Sequence, residues 1–139
     1  MESFIRANFV PLKIHIKEHP ELFERFGAQW TPTIQIVDSD QKRHQFEGFL
    51  PAVDFLGQLR LGVAHAAFAR QKWAEAEKLF RALADKLPES DAAPEALDWA
   101  GVAKYKQTGD AAALGDTAKQ FKGRYANSTW AKKASVWAA

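Results

Sequence analysis

The sequence predicts an α+β protein: a short βαββα segment followed by an antiparallel array of helical hairpins. Three observations carry that expectation. Up to about residue 51, stretches of alternating apolar residues are interspersed with short helical pieces. From Pro51 onward the chain is alanine-rich and repeats at helical spacing. Between them, in "GAQWTPTIQIVD" (Gly27 to Asp38), a proline flanked by threonines opens an alternating strand directly after a glycine suited to end a helix.

Each element follows in order. Ser3 to Ala7 reads as the last turns of a helix with Phe4 and Ile5 on its apolar side. Phe9 to Ile16 alternates as a strand, Leu12, Ile14 and Ile16 on one face and Lys13 and His15 on the other. In "HPELFERFG", Pro20 suits the first helical position, Leu22, Phe23 and Phe26 form a stripe, and Gly27 fits a left-handed terminus. Thr33 to Val37 is the next strand, "DSDQK" supplies turn residues, and "RHQFEGF" returns as an antiparallel partner.

The helical part begins with Pro51 to Ala69, continues through "KWAEAEKLFRALADKLP" and then Pro94 to Gln107, breaks at "TGD", and resumes with Ala111 to Tyr125 and a last helix from about Ser128. Five helices joined by short loops read as stacked hairpins. The organisation is therefore two overlapping units, residues 1–62 and 51–139, sharing the helix at about 51–69.

Composition narrows the function classes. The 139 residues are 47% hydrophobic and 26% charged, which suits a soluble globular chain with one sizeable core or two small ones. Nineteen basic and 17 acidic side chains leave a net charge of +2, too balanced for nucleic acid to be the main ligand. Neither a membrane span nor a signal-peptide pattern is present, so a cytoplasmic product is expected. Cysteine is absent, which excludes disulfides, thiolate nucleophiles and thiolate metal ligands.

The helical region carries an internal repeat. Aligning "VAHAAFARQKWAEAEKLFRALADKLPES" with "AGVAKYKQTGDAAALGDTAKQFKGRYANS" matches Ala64 with Gly101, Phe68 with Tyr105, Leu83 with Phe121 and Ser90 with Ser128, with one residue of insertion near Thr108. The region resembles the tetratricopeptide repeat: Ala64, Trp73, Ala76, Phe80 and Pro88 stand where that family prefers small, aromatic, small, aromatic and proline residues. The second copy departs from it at Ala118 and Ala126. The same stripes also fit a generic helical bundle.

The first segment resembles the C-terminal half of the thioredoxin fold, over Ser3 to Gly62. The order strand, acidic helix, "WTPT", strand, partner strand ending in "EGF" and final helix is that family's order. The resemblance implies that Pro32 follows a cis peptide and that the backbone of Thr31 pairs with an extended peptide. It also implies a dithiol pair upstream of Phe9 that this chain does not contain, so a thiol–disulfide oxidoreductase whose Cys-x-x-Cys half is missing is the alternative to a non-catalytic module. Without the strand bearing that pair, Phe9–Ile16 and Thr33–Val37 expose two edges. They can close up on each other, a second copy can donate a strand in a homodimer, or a longer natural protein can supply one.

Other chemistry is thin. His15, His19 and His44 lack metal-ligand spacing, Asp38 and Asp40 fit turn chemistry, and no nucleotide loop or serine elbow occurs. No catalytic residue, cofactor or metal is expected. The partner is expected to be a protein or peptide, bound through Trp30, Thr31 and Pro32 at the strand edge and through His65, Phe68, Val102 and Tyr105 on the inner helices.

Overall fold

The structure, a computed structural model, describes residues 1–39 and 41–138. It is α+β: a two-stranded antiparallel hairpin, preceded by two short helices and followed by packed helices that make up most of the chain.

The short helices are α1 (Glu2–Asn8) and α2 (Pro20–Arg25). Pro20 opens α2, where a missing N–H costs nothing, and Gly27 closes it at φ 66°. There the Gly27 N–H donates to the Glu24 carbonyl and the Ala28 N–H to that of Phe23, the paired closure that a left-handed residue permits. Neither helix buries a residue fully.

Strands β1 (Thr33–Asp38) and β2 (Gln41–Glu47) pair from Thr33 with Glu47 to Asp38 with Gln41. The register slips between Ile36 and Val37: Ile36 faces His44 but Val37 faces Lys42, leaving Arg43 as the extra residue of a bulge. Asp40, assigned to the turn, lies outside the described residues.

Helix α3 (Ala52–Ala69) is where hairpin and helices meet. Ile36 lies over Gly62 so closely that a Cβ on that glycine would come within 2.0 Å of the isoleucine Cδ1. Just past the helix, Arg70 grips Asp38 with both ends of its fork, the Nε bond measuring 2.8 Å. Asp38 therefore does more than local turn bonding: its main partner lies 32 residues away.

Helices α4 (Trp73–Lys86), α5 (Ala92–Thr108), α6 (Ala112–Gly123) and α7 (Thr129–Ala134) follow, with a closing 3-10 turn at Ser135–Trp137. Each packs on its predecessor, α5 most extensively on α4. Leu61 and Ala64 from α3, Ala76, Phe80 and Leu83 from α4, and Ala93, Ala96 and Ala100 from α5 form the main core. Alanines dominate the α5 contribution because short side chains bring helix axes close. The limit is Gly101, where an added Cβ would sit 1.9 Å from the Thr117 Oγ1 of α6. A smaller cluster of Leu97, Phe121 and Ala134 carries α7.

Side-chain bonds fasten the ends. The Tyr125 hydroxyl donates to the Pro88 carbonyl at 2.7 Å, Arg124 donates to that of Ala84 at 3.1 Å, and the Ser128 hydroxyl caps α7 by accepting from the Ala131 N–H. Pro94, read as the start of its helix, is its third residue instead, since the first turn has no use for that N–H.

The expected strand Phe9–Ile16 does not form. The segment belongs to no ladder, and Val10 and Leu12 are 98% and 78% exposed. The physical reason is the one that made its edges costly: strand structure needs a hydrogen-bonded neighbour, and no described residue supplies one. Among the described residues no helix is long and apolar enough to cross a membrane.

Candidate functional site

The turn before β1 is built from both ends of the hairpin. The Thr31–Pro32 peptide is cis, the form expected above. The Pro32 carbonyl accepts the Gly48 N–H at 2.8 Å, and the Thr33 hydroxyl donates to the Trp30 carbonyl. Gly48 takes φ 82°, a backbone state that a side chain would strain. Trp30 projects from this turn and is 65% exposed, Thr31 is exposed and Pro32 half-buried.

Ladder phase fixes what β1 offers a partner. Because Pro32 bonds Gly48, the bonded pairs two residues on are Ile34 with Phe46 and Ile36 with His44. Thr33 and Gln35 consequently point their N–H and C=O groups away from β2, and no described residue bonds them. The Gln35 side chain is occupied, donating to the Phe26 carbonyl at 2.7 Å and to Gln45 at 2.8 Å.

A cleft of about 270 Å³ adjoins this strand. Asn8 and Phe9 stand on one side, Ile36 and Val37 on the other, and α3 supplies Val63 and Ala66. At one end lies the Arg70–Asp38 pair, whose hydrogen bond and charge hold the Asp38 carboxyl below its usual range, with burial opposing.

The four helical residues singled out from sequence are divided by the structure. His65 and Phe68 are half-buried against the stack: Phe68 meets Trp73 and Trp99 edge-on at centroid distances of 4.8 and 5.2 Å, and His65 meets Phe80 and Trp99 at 5.2 and 5.3 Å. Val102 is half-buried and Tyr105 is exposed at the far end of α5. Neither these four nor Trp30, Thr31 and Pro32 line that cleft.

Sequence reasoning missed a polar cluster between hairpin and helices. His44 lies against His65, ring centroids 5.8 Å apart. The Nε2 of His44 is 2.7 Å from Gln58 Oε1, and that of His65 is 3.0 Å from Glu95 Oε2. Burial lowers the His44 pKa, opposed by its bond to Gln58. The signal available was period: His44 shares a strand face with Phe46, and His65 a helix stripe with Leu61 and Phe68. A second missed group is Asp98, buried on α5 with Oδ1 unpartnered and its pKa pushed up to about 6 by desolvation, the Lys133 charge opposing. Among the described residues no group of three His, Cys, Asp or Glu is placed to hold a metal.

Compared with known proteins, the chain matches no family model, no curated protein and no solved structure.

Proposed function

We propose that the chain is a non-catalytic protein-interaction module, a truncated thioredoxin-like segment joined through α3 to a tetratricopeptide-like array. What supports the fold reading is the order of features: a cis Thr31–Pro32 turn, β1, β2, Gly48 and a helix, then stacked hairpins in which Ala64 and Gly101 both lie buried. The single observation that carries the function is the free edge of β1 beside the exposed Trp30. Unpaired backbone groups next to a large aromatic suit capture of an extended peptide: the ladder gives affinity and the ring gives contact area. Val102 and Tyr105 offer a second, separate surface.

Binding to an array of immobilised extended peptides tests this reading. Trp30→Ala is expected to weaken capture while circular dichroism stays unchanged, and full retention of capture would remove the site. One observation favours a second reading, the C-terminal portion of a thioredoxin-family oxidoreductase: the proline turn opens a strand whose outer edge has no partner among the described residues. This chain has no thiol to contribute. Insulin reduction by the isolated chain is expected to stay at background, and turnover above background would overturn the non-catalytic reading.

A further inference from the structure

We propose that His44 and His65 form an acid-released latch: protonation of this pair frees the β1–β2 hairpin from α3, while helices α3–α7 stay packed. The latch is independent of peptide capture at β1. Its place in the fold gives the histidines leverage. His44 pairs across the hairpin with Ile36, so the two side chains share a face. Ile36 is the hairpin's buried anchor and lies over Gly62. His44 stands against His65, three residues along α3 from that glycine and on the same helix face. Whatever drives His44 from His65 therefore also pulls on the anchor.

Hydrogen bonding makes no provision for a further proton. Gln58 Oε1 and the ionised Glu95 Oε2 can only accept, so each ring carries its N–H at Nε2. An added proton goes to Nδ1, for which no described residue supplies an acceptor. Charge is met no better. With both rings protonated, two cations face each other at 5.8 Å between centroids, and Glu95 is the one carboxylate bonded to the pair among the described residues. Phe80 of α4 and Trp99 of α5, which also touch His65, are uncharged. Burial is the main cause that lowers the His44 pKa, joined by the His65 charge and opposed by Gln58 and Glu95. Once released, His44 is hydrated and takes its proton freely.

Acid acts differently on the rest of the molecule. The hairpin's other charged tie is at its turn, where Asp38 bonds Arg70 and lies 3.8 Å from Arg43. The Arg70 bond holds that carboxyl below its usual range, so it keeps its charge while histidines titrate. In the stack, Asp98 of α5 is pushed up to about 6 by desolvation, Lys133 of α7 opposing and Glu95 adding, so acid removes a buried charge and favours packing. Acid thus loosens the hairpin and tightens the helices. A two-stranded ribbon off its support is marginal, so release is seen as melting of the hairpin.

Amide exchange of the full ¹⁵N-labelled chain from pH 7.5 to 5, expressed as protection relative to the intrinsic rate at each pH, tests the latch. Protection of Ile34, Ile36 and Phe46 is expected to fall by up to about tenfold per pH unit below 6.5 for each proton taken up on release, while Leu83 and Ala100 keep theirs. His44→Phe, which keeps a ring but takes no proton, should remove most of that fall, and His44→Gln gives the same readout if the phenyl ring disturbs docking. Glu95→Gln leaves His65 an acceptor but removes the facing negative charge. It should deepen the fall at pH 5.5 several-fold, measured against its own value at pH 7.5. Because it leaves the hairpin's own residues in place, this variant decides the matter even if both His44 substitutions undock the hairpin. Hairpin protection unchanged between pH 7.5 and 5, an equal fall in α4 and α5, or an undiminished fall in both His44 variants overturns the proposal. So does a Glu95→Gln profile that matches the unaltered chain.

Discussion

Residues 1–48 and residues 52–137 handle their apolar side chains in opposite ways. Before α3, only Ile36 among the described residues is fully buried and hydrophobic, while Val10, Leu12, Trp30 and Val37 stand open. From α3 onward the buried residues form a continuous stack in which Leu61, Phe80 and Leu83 are wholly inaccessible. The difference teaches that the helical part completes its own core from neighbours in sequence, whereas the hairpin borrows its seat mainly from α3. A two-stranded ribbon is marginal in water unless it packs on something else. Here Gly62, Ile36 and the Arg70–Asp38 fork supply that packing.

The largest expected effect lies in the helical core. Phe80→Ala should cost about 3–5 kcal/mol and lower the melting temperature of the whole chain, as for other buried aromatics. Ile36→Ala should cost about 2–5 kcal/mol locally. Hydrogen exchange should then speed up in Thr33–Glu47 while the amides of α4 and α5 stay protected; uniform loss of protection would show that the two regions unfold as one. Gly101→Ala should cost about 1–3 kcal/mol, because its Cβ would have to displace the Thr117 side chain at the α5–α6 contact.

Next in size come two titratable groups, buried Asp98 and half-buried His44, which pull stability in opposite directions with pH. Asp98 holds its proton up to about 6 in the folded state against 3.8 when exposed. The folded chain therefore gains stability as pH falls from about 6 toward 3.8, and carries an uncompensated cost above 6. Asp98→Asn should raise the melting temperature at pH 8, with the gain shrinking as pH falls from about 6 toward 3.8. The depressed pKa of His44 works the other way: its contribution is complete above 6.5 and is lost as pH falls below that value. His44→Gln should flatten that acid-side loss, as read by hairpin exchange rates from pH 7 to 5. The smallest effect belongs to the open segment, where Val10→Lys should change stability by less than about 0.5 kcal/mol.

Much of the architecture was legible in the residues. The helices after Pro51, the hairpin, the left-handed Gly27 and the turn at Pro32 follow from period, punctuation and the conformational limits of glycine and proline. Phe9–Ile16 was misread because alternation reports which faces a strand would have, not whether a neighbour exists to bond it. His65 and Phe68 were read as offered to a partner, yet a stripe one turn wide does not say which neighbouring helix covers it. In the structure Trp99 of α5 lies against both. The pairing of His44 with His65, and of Asp38 with Arg70, joins residues far apart in the chain and leaves no local trace.

By itself the sequence determined the local states of this protein: where helices start and stop, which residues are too small to hold helices apart, and that no thiol is available for chemistry. Tertiary structure alone decided which edges remain unpaired, which aromatics turn inward and which carboxylate loses its solvent. Local states depend on the few residues within a turn or a strand pair. Pairing and burial depend on what arrives from elsewhere in the chain, and for the outer edge of β1 nothing described in this chain arrives.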